Sequence, residues 1–214
     1  MSFNIKIFGK QISSKQFAIE SPNKKIRCVV KLKNGRICYE IWRDETELIR
    51  ESRLGFLLYG EKELGQNLNL VRTQKKSRDE TWETVVGEQK EIRNNYNEMT
   101  FYLAEKNEKQ RLFSVRFRVF NEGVAFRYEI PPQPSFQRII ISDELTEFNV
   151  DLNGQAWRIP AYQATKYELN YEKWPVYELR DSVHTPLTIE TNSNKYLAIH
   201  EAALYNYGSM TLKL

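Results

Sequence analysis

Apolar and polar positions alternate over short runs along most of this chain, the period expected of half-buried β-strands. Cys28, Val30 and Leu32 alternate with Lys31 and Lys33. Ile37, Tyr39 and Ile41 alternate with Arg36, Cys38 and Glu40. Between the two runs lies Asn34-Gly35, which favours a two-residue type I′ turn because both central positions need positive φ. On that register Leu32 faces Ile37, Val30 faces Tyr39 and Cys28 faces Ile41, and a one-residue slip would scramble this apolar face. The same register points Cys28 inward and Cys38 outward. It therefore predicts one buried and one surface thiol with no bridge between them.

A second hairpin is read over Leu112–Ile130. Phe113, Val115, Phe117 and Val119 alternate with Ser114, Arg116 and Arg118, and Val124, Phe126, Tyr128 and Ile130 alternate on the return. A four-residue loop, Phe120-Asn121-Glu122-Gly123, sets Phe117 against Phe126 and Val115 against Tyr128. It also sets Arg116 opposite Arg127, so acids such as Glu129 are expected close by. Further strands are expected within Leu48–Tyr59, late in Lys62–Val71, and over Val85–Arg93 and Glu98–Glu105, with Asn94–Asn97 as a turn. Others are expected over Gln137–Ile141, Thr185–Glu190 and Tyr196–His200. Lys75–Glu83 and Asp143–Phe148 read as polar connections. Trp157–Tyr162 and Tyr167–Tyr177, interrupted by Pro160 and Pro175, read as loops or edge strands carrying exposed aromatics. No helical period of convincing length is present. The pattern predicts an all-β, antiparallel sandwich or barrel in a single domain, 1–214.

Composition narrows the partners. Aromatics reach 13% of 214 residues, which favours strands. The net charge of +4 comes from 32 basic and 28 acidic residues that are interleaved, and the basic clusters at Lys24–Arg27 and Lys75–Arg78 are short. A nucleic-acid partner would need a concentrated basic face, so none is expected. No run is long and apolar enough for a membrane-spanning helix. The N-terminal MSFNIKIFGKQISSK lacks the continuous apolar stretch of a signal peptide.

Candidate chemistry is sparse. No nucleophile triad order, P-loop, dinucleotide fingerprint or metal-ligand cluster is visible, and His184 in Val-His-Thr-Pro reads as a loop residue. The aromatics Trp157, Tyr162, Tyr167, Tyr171, Trp174 and Tyr177 have two readings. They pack the sandwich, or they form a platform for sugar rings. Glu201 also has two. If the strand Tyr196–His200 continues, Glu201 shares the apolar face of Leu197 and Ile199, which is costly unless it is paired or binds a cation. If the strand stops at His200, Glu201 caps a turn or meets an arginine.

A series of longer motifs adds to this reading. Ser52-Arg53-Leu54-Gly55, Asp79-Glu80-Thr81-Trp82 with Gly87-Glu88, Ile92–Glu98, Phe117–Phe120 with Gly123–Tyr128, Asp143–Phe148, Thr185–Thr188 and Ile199–Leu204 occur in order along nearly the whole chain. Together they resemble the N-terminal domain of glycoside hydrolase family 97. The resemblance implies a β-supersandwich similar to the galactose mutarotase-like fold. It also implies a parent α-glucosidase or α-galactosidase that is periplasmic or secreted, uses calcium, and acts on oligosaccharide or α-glycoside substrates. In that family the catalytic carboxylates belong to a (β/α)8 barrel, which these 214 residues do not contain. The resemblance therefore implies no catalytic residue in this chain, and a truncated sandwich that is inactive alone. It assigns one role, calcium ligation, to Glu201 of the His-Glu-Ala motif. Sugar binding by the chain itself would fall to Trp157, Tyr162 and Trp174. The competing readings are a stand-alone carbohydrate-binding module and a structural or interaction sandwich with unpaired edges.

Overall fold

The computed structural model describes residues 14–134, 138–163, 168–205 and 207–213. Apart from a single 3-10 turn at Val176–Glu178, the regular elements among them are antiparallel strands. Contacts divide the chain into two compact units, one made of Met1–Glu40 and Glu51–Glu147, the other of Ile41–Arg50 and Phe148–Leu214.

The first unit holds β1 (Ser14–Glu20), β2 (Ile26–Lys33) and most of β3 (Arg36–Arg43). It also holds the end of β4 (Thr46–Arg53), then β5 (Phe56–Leu58), β6 (Leu68–Glu83), β7 (Glu91–Glu105), β8 (Leu112–Phe120), β9 (Val124–Glu129) and β10 (Ile141–Glu144). β1 to β4 form one sheet in sequence order and β6 to β9 another; β5 pairs with β10. The turn between β2 and β3 has φ of 51° at Asn34 and 72° at Gly35, as a type I′ turn requires. The two four-stranded sheets meet through aromatic rings. Phe17 of β1 lies edge-on to Phe101 of β7, and Tyr39 of β3 lies 5.9 Å from Phe117 of β8 and 5.3 Å from Phe126 of β9. The β8–β9 register matches the sequence expectation residue by residue, including Phe117 with Phe126, Val115 with Tyr128 and Arg116 with Arg127. The expected acids are also there. Glu129 bonds both Arg116 and Arg127, and buried Glu98 bonds Arg116 and Arg118.

Several expectations fail in this unit. Lys75–Glu83 is not a loop but the distal half of the 16-residue β6, and Asn94–Asn97 lies inside β7 rather than at a turn. β8 pairs with β7 only over Tyr96–Ala104, so Asp79–Glu83 and Glu91–Asn95 form a two-stranded ribbon. Neither face of that ribbon has a core to cover, so apolar periodicity carries no signal there. Polar cross-strand bonds stabilise it instead, between Arg93 and Asp79 and between Asn94 and Glu80. The turn falls within Val85–Lys90, where a strand was expected; Thr84 there closes onto Gln89 and Lys90. Asp143 and Glu144, expected in a polar connection, end β10. Cys38, expected at the surface, is buried like Cys28, and the two are free thiols as expected. Lys31, Lys33, Glu40 and Glu51 interlock by ion pairs on its face of the sheet, and their aliphatic stems exclude water from it. Burial pushes the Cys38 thiol up, and Cys28 further.

The second unit holds the end of β3 and most of β4, together with β11 (Gln155–Arg158), β12 (Glu172–Pro175), β13 (Val183–His184), β14 (Leu187–Glu190), β15 (Tyr196–Ile199) and β16 (Thr211–Leu212). The sheet order is β12-β11-β14-β15, with β13 and β16 paired separately. Every second residue points to a core of Ala156, Val176, Leu179, Leu187, Ile189 and Ile199. Trp157, expected in a loop or on an edge strand, therefore sits on the internal strand β11, while Trp174 is on the edge strand β12, one of the two placements expected for it. His184, expected in a loop, pairs with Thr211 in β13.

Candidate functional site

Two places in the second unit hold the residues singled out by sequence. The first surrounds Glu201. β15 stops at Ile199, so Glu201 leaves the apolar face and turns into the following loop. Its Oε1 accepts the Met210 backbone N–H at 2.6 Å, and its Oε2 accepts the Thr185 hydroxyl at 2.7 Å. Thr185 also approaches the Met210 carbonyl at 3.3 Å, and His200 Nδ1 lies 2.8 Å from the Glu201 carbonyl. The Met210 N–H first, and the Thr185 hydroxyl second, hold the Glu201 carboxyl below the usual carboxylate range. Glu201 is thus an ionised clasp that joins the end of β15, the start of β14 and the entry to β16.

Each carboxylate oxygen has a second lone pair beyond the bond it accepts. Glu201 therefore fits a cation ligand without losing its structural bonds. It does not make a cage. Calcium takes six to eight oxygens, and among the described residues no group of three or more His, Cys, Asp or Glu side chains comes together.

The second place is the sheet β12-β11-β14-β15. The three aromatic candidates separate here. Trp174 faces inward, packs against the core and carries the Arg158 guanidinium 3.9 Å above its ring; Arg158 pairs with Glu172 at 2.9 Å. Trp157 faces outward. Lys173 Nζ lies 4.5 Å from its ring centroid, and the Tyr196 ring lies 6.1 Å away at a 36° tilt. Tyr162 stands apart, 72% exposed, with its hydroxyl bonded to Thr211. Tyr171 and Tyr177 are exposed, and Tyr167 falls outside the described residues. Glu190 bonds Lys173 at 3.1 Å and the Tyr196 hydroxyl at 2.9 Å. Lys173 first, then Tyr196, hold the Glu190 carboxyl low, and the Glu190 bond raises the Tyr196 hydroxyl. Sequence reasoning did not single out Tyr196, Lys173 or Glu190 for this face. The available signal was the hairpin over Thr185–His200, whose alternation puts Glu190 and Tyr196 opposite one another.

Comparison with known proteins gives the setting for both places. The family profile described as glycosyl-hydrolase 97 N-terminal matches residues 19–214, across both units. A retaining alpha-galactosidase of Bacteroides thetaiotaomicron is 27% identical over 116 residues, covering 54% of this chain and 16% of that protein. Solved structures of a glycoside hydrolase family 97 enzyme from Pseudoalteromonas sp. strain K8, in complex with panose and with acarbose, align at a TM-score of 0.88 and 32% identity. They cover 92% of this chain and 30% of the enzyme, so the chain spans less than a third of these relatives' length. A beta-arabinopyranosidase aligns at a TM-score of 0.79 and 20% identity, a likeness of fold.

Proposed function

Because the chain belongs to the glycosyl-hydrolase 97 N-terminal family over residues 19–214, we propose that it is the non-catalytic β-sandwich domain of a calcium-dependent α-glucosidase or α-galactosidase. The observation that carries this reading is the unequal coverage. The fold matches 92% of this chain but only 30% of the solved family enzyme. The remaining chain of such an enzyme, a catalytic barrel, provides the pair of carboxylates that glycoside hydrolysis normally uses. No residue of this chain takes a catalytic role. The sandwich, of galactose mutarotase-like type, packs on that barrel, and the parent enzyme works in the periplasm or outside the cell.

Glu201 is the residue through which this domain serves the active enzyme. It lends one carboxylate to the calcium, whose other ligands come from outside this chain. Glu201 would hold the ion there through its carboxylate, and calcium would supply positive charge to the oxygens it binds. The clasp supports this role because the Met210 N–H and the Thr185 hydroxyl fix the carboxylate and keep it ionised. A single carboxylate gives weak affinity. Calorimetric titration of the 214-residue chain with calcium is therefore expected to show no saturation below the millimolar range. Micromolar binding would refute the idea that the chain contributes one ligand of many.

A further inference from the structure

We propose that the outward face of the β12-β11-β14-β15 sheet is an oligosaccharide-binding platform centred on Trp157. Alternation along the four strands puts Gln155, Trp157, Lys173, Thr188, Glu190 and Tyr196 on this one face. Trp157 lies on an internal strand with Lys173 directly opposite on one side and Thr188 on the other. Tyr196 extends the aromatic surface onto the edge strand and is 60% exposed.

The inner face of the same sheet forms the core, and Trp174 packs against it, whereas Trp157 takes no part in that cluster. Trp157 is half-buried on this face, and the groups beside its ring are the Lys173 ammonium and the Tyr196 ring, with Glu190 bonded to both. Lys173 and Glu190 hold each other, and the Tyr196 hydroxyl caps Glu190. A ring plane surrounded by a cationic donor, a carboxylate, a hydroxyl and an amide matches a pyranose, which has an apolar C–H face and a rim of hydroxyls. The core of a protein interface is instead depleted of Lys and Glu, whereas Lys173 and Glu190 lie beside the ring here. Lys173 lies over the ring on a flexible stem, with its side chain 48% exposed. A sugar displaces it from the ring face, and its ammonium then donates to the rim.

The inference does not depend on the chain belonging to a larger hydrolase, because it concerns binding by the chain alone. The test is calorimetric titration of the chain with maltoheptaose and, separately, stachyose, with tryptophan fluorescence as a second readout. We expect saturable binding of at least one of them in the millimolar range. Trp157→Ala weakens it by about tenfold or more, as loss of one stacked aromatic contact implies. Tyr196→Ala weakens it severalfold. Thermal midpoints establish that each variant is folded, and exposed Tyr196 on the edge strand keeps the test valid if Trp157→Ala fails to fold. Binding of neither sugar overturns the proposal and leaves the face to a protein partner. Affinity unchanged in the folded variants overturns it as well.

Discussion

Replacing Arg111 with alanine should produce the largest loss of stability available from a charged residue in this chain. Arg111 and Glu105 are 1% and 2% exposed at their side chains. The guanidinium meets the carboxylate through two bonds, from Nε to Oε2 and from Nη2 to Oε1, the latter at 2.6 Å. Nη2 also donates to the carbonyls of Lys62 and Glu63 at 3.1 and 3.2 Å, which ties the segment before β6 to the β7–β8 turn. In Arg111→Ala, Glu105 keeps the Asn107 amide as a donor but loses its counter-charge, and two carbonyls lose a partner. An uncompensated buried charge costs about 3–5 kcal/mol. At about 2–4 °C per kcal/mol for a chain of this size, the thermal midpoint should fall by roughly 6–20 °C. Scanning calorimetry reads this directly. The control is Arg93→Ala, which removes a similar two-bonded pair with Asp79 on the exposed ribbon and should leave the midpoint unchanged. The double variant Arg111→Met, Glu105→Gln should lose much less than Arg111→Ala, because no unpaired charge remains. A midpoint in Arg111→Ala no lower than in Arg93→Ala would refute the reasoning.

Other outcomes follow from the second unit. The Glu201 carboxyl is lowered in the fold, so it contributes stability above its unfolded value of about 4.3, and that contribution is lost as pH falls through the folded value. Glu201→Gln should therefore be less stable than the parent at neutral pH, and the gap should narrow on acidification through that range in denaturant titrations; a constant gap would sink the assignment. Trp174→Ala should destabilise by about 3 kcal/mol, the low end for a tryptophan that is only partly buried, whereas Trp157→Ala, which removes a half-buried ring outside the core cluster, should cost less. Equal losses in the two variants would contradict the inward and outward placement of these rings.

What could be read in advance follows burial. The β8–β9 hairpin was legible to the residue because one face is core and the other charged, so period two fixes the register. The β2–β3 turn was legible because Asn-Gly has few alternatives. The distal half of β6 was not, because a ribbon wet on both faces has no apolar period and is held by specific side-chain pairs such as Arg93 with Asp79. Cys38 was misplaced because alternation assumes that charged neighbours lie in water, whereas Lys31, Lys33, Glu40 and Glu51 pair across three strands over it. At the candidate sites, Glu201 could be named from its motif. Its partners Thr185 and Met210 could not, since they lie 16 and 9 positions away and meet it only through loop closure. Trp157 and Trp174 could be listed together, but only the pairing of β11 with β12 and β14 separates the platform from the core.

The central claim is that this sandwich is one non-catalytic part of a glycoside hydrolase. Turnover of nitrophenyl α-glucoside and nitrophenyl α-galactoside by the pure 214-residue chain, in the presence of calcium, tests it most directly. No release of nitrophenol above the buffer rate is expected with either substrate. Sustained release that scales with chain concentration, and persists after further purification, would contradict it.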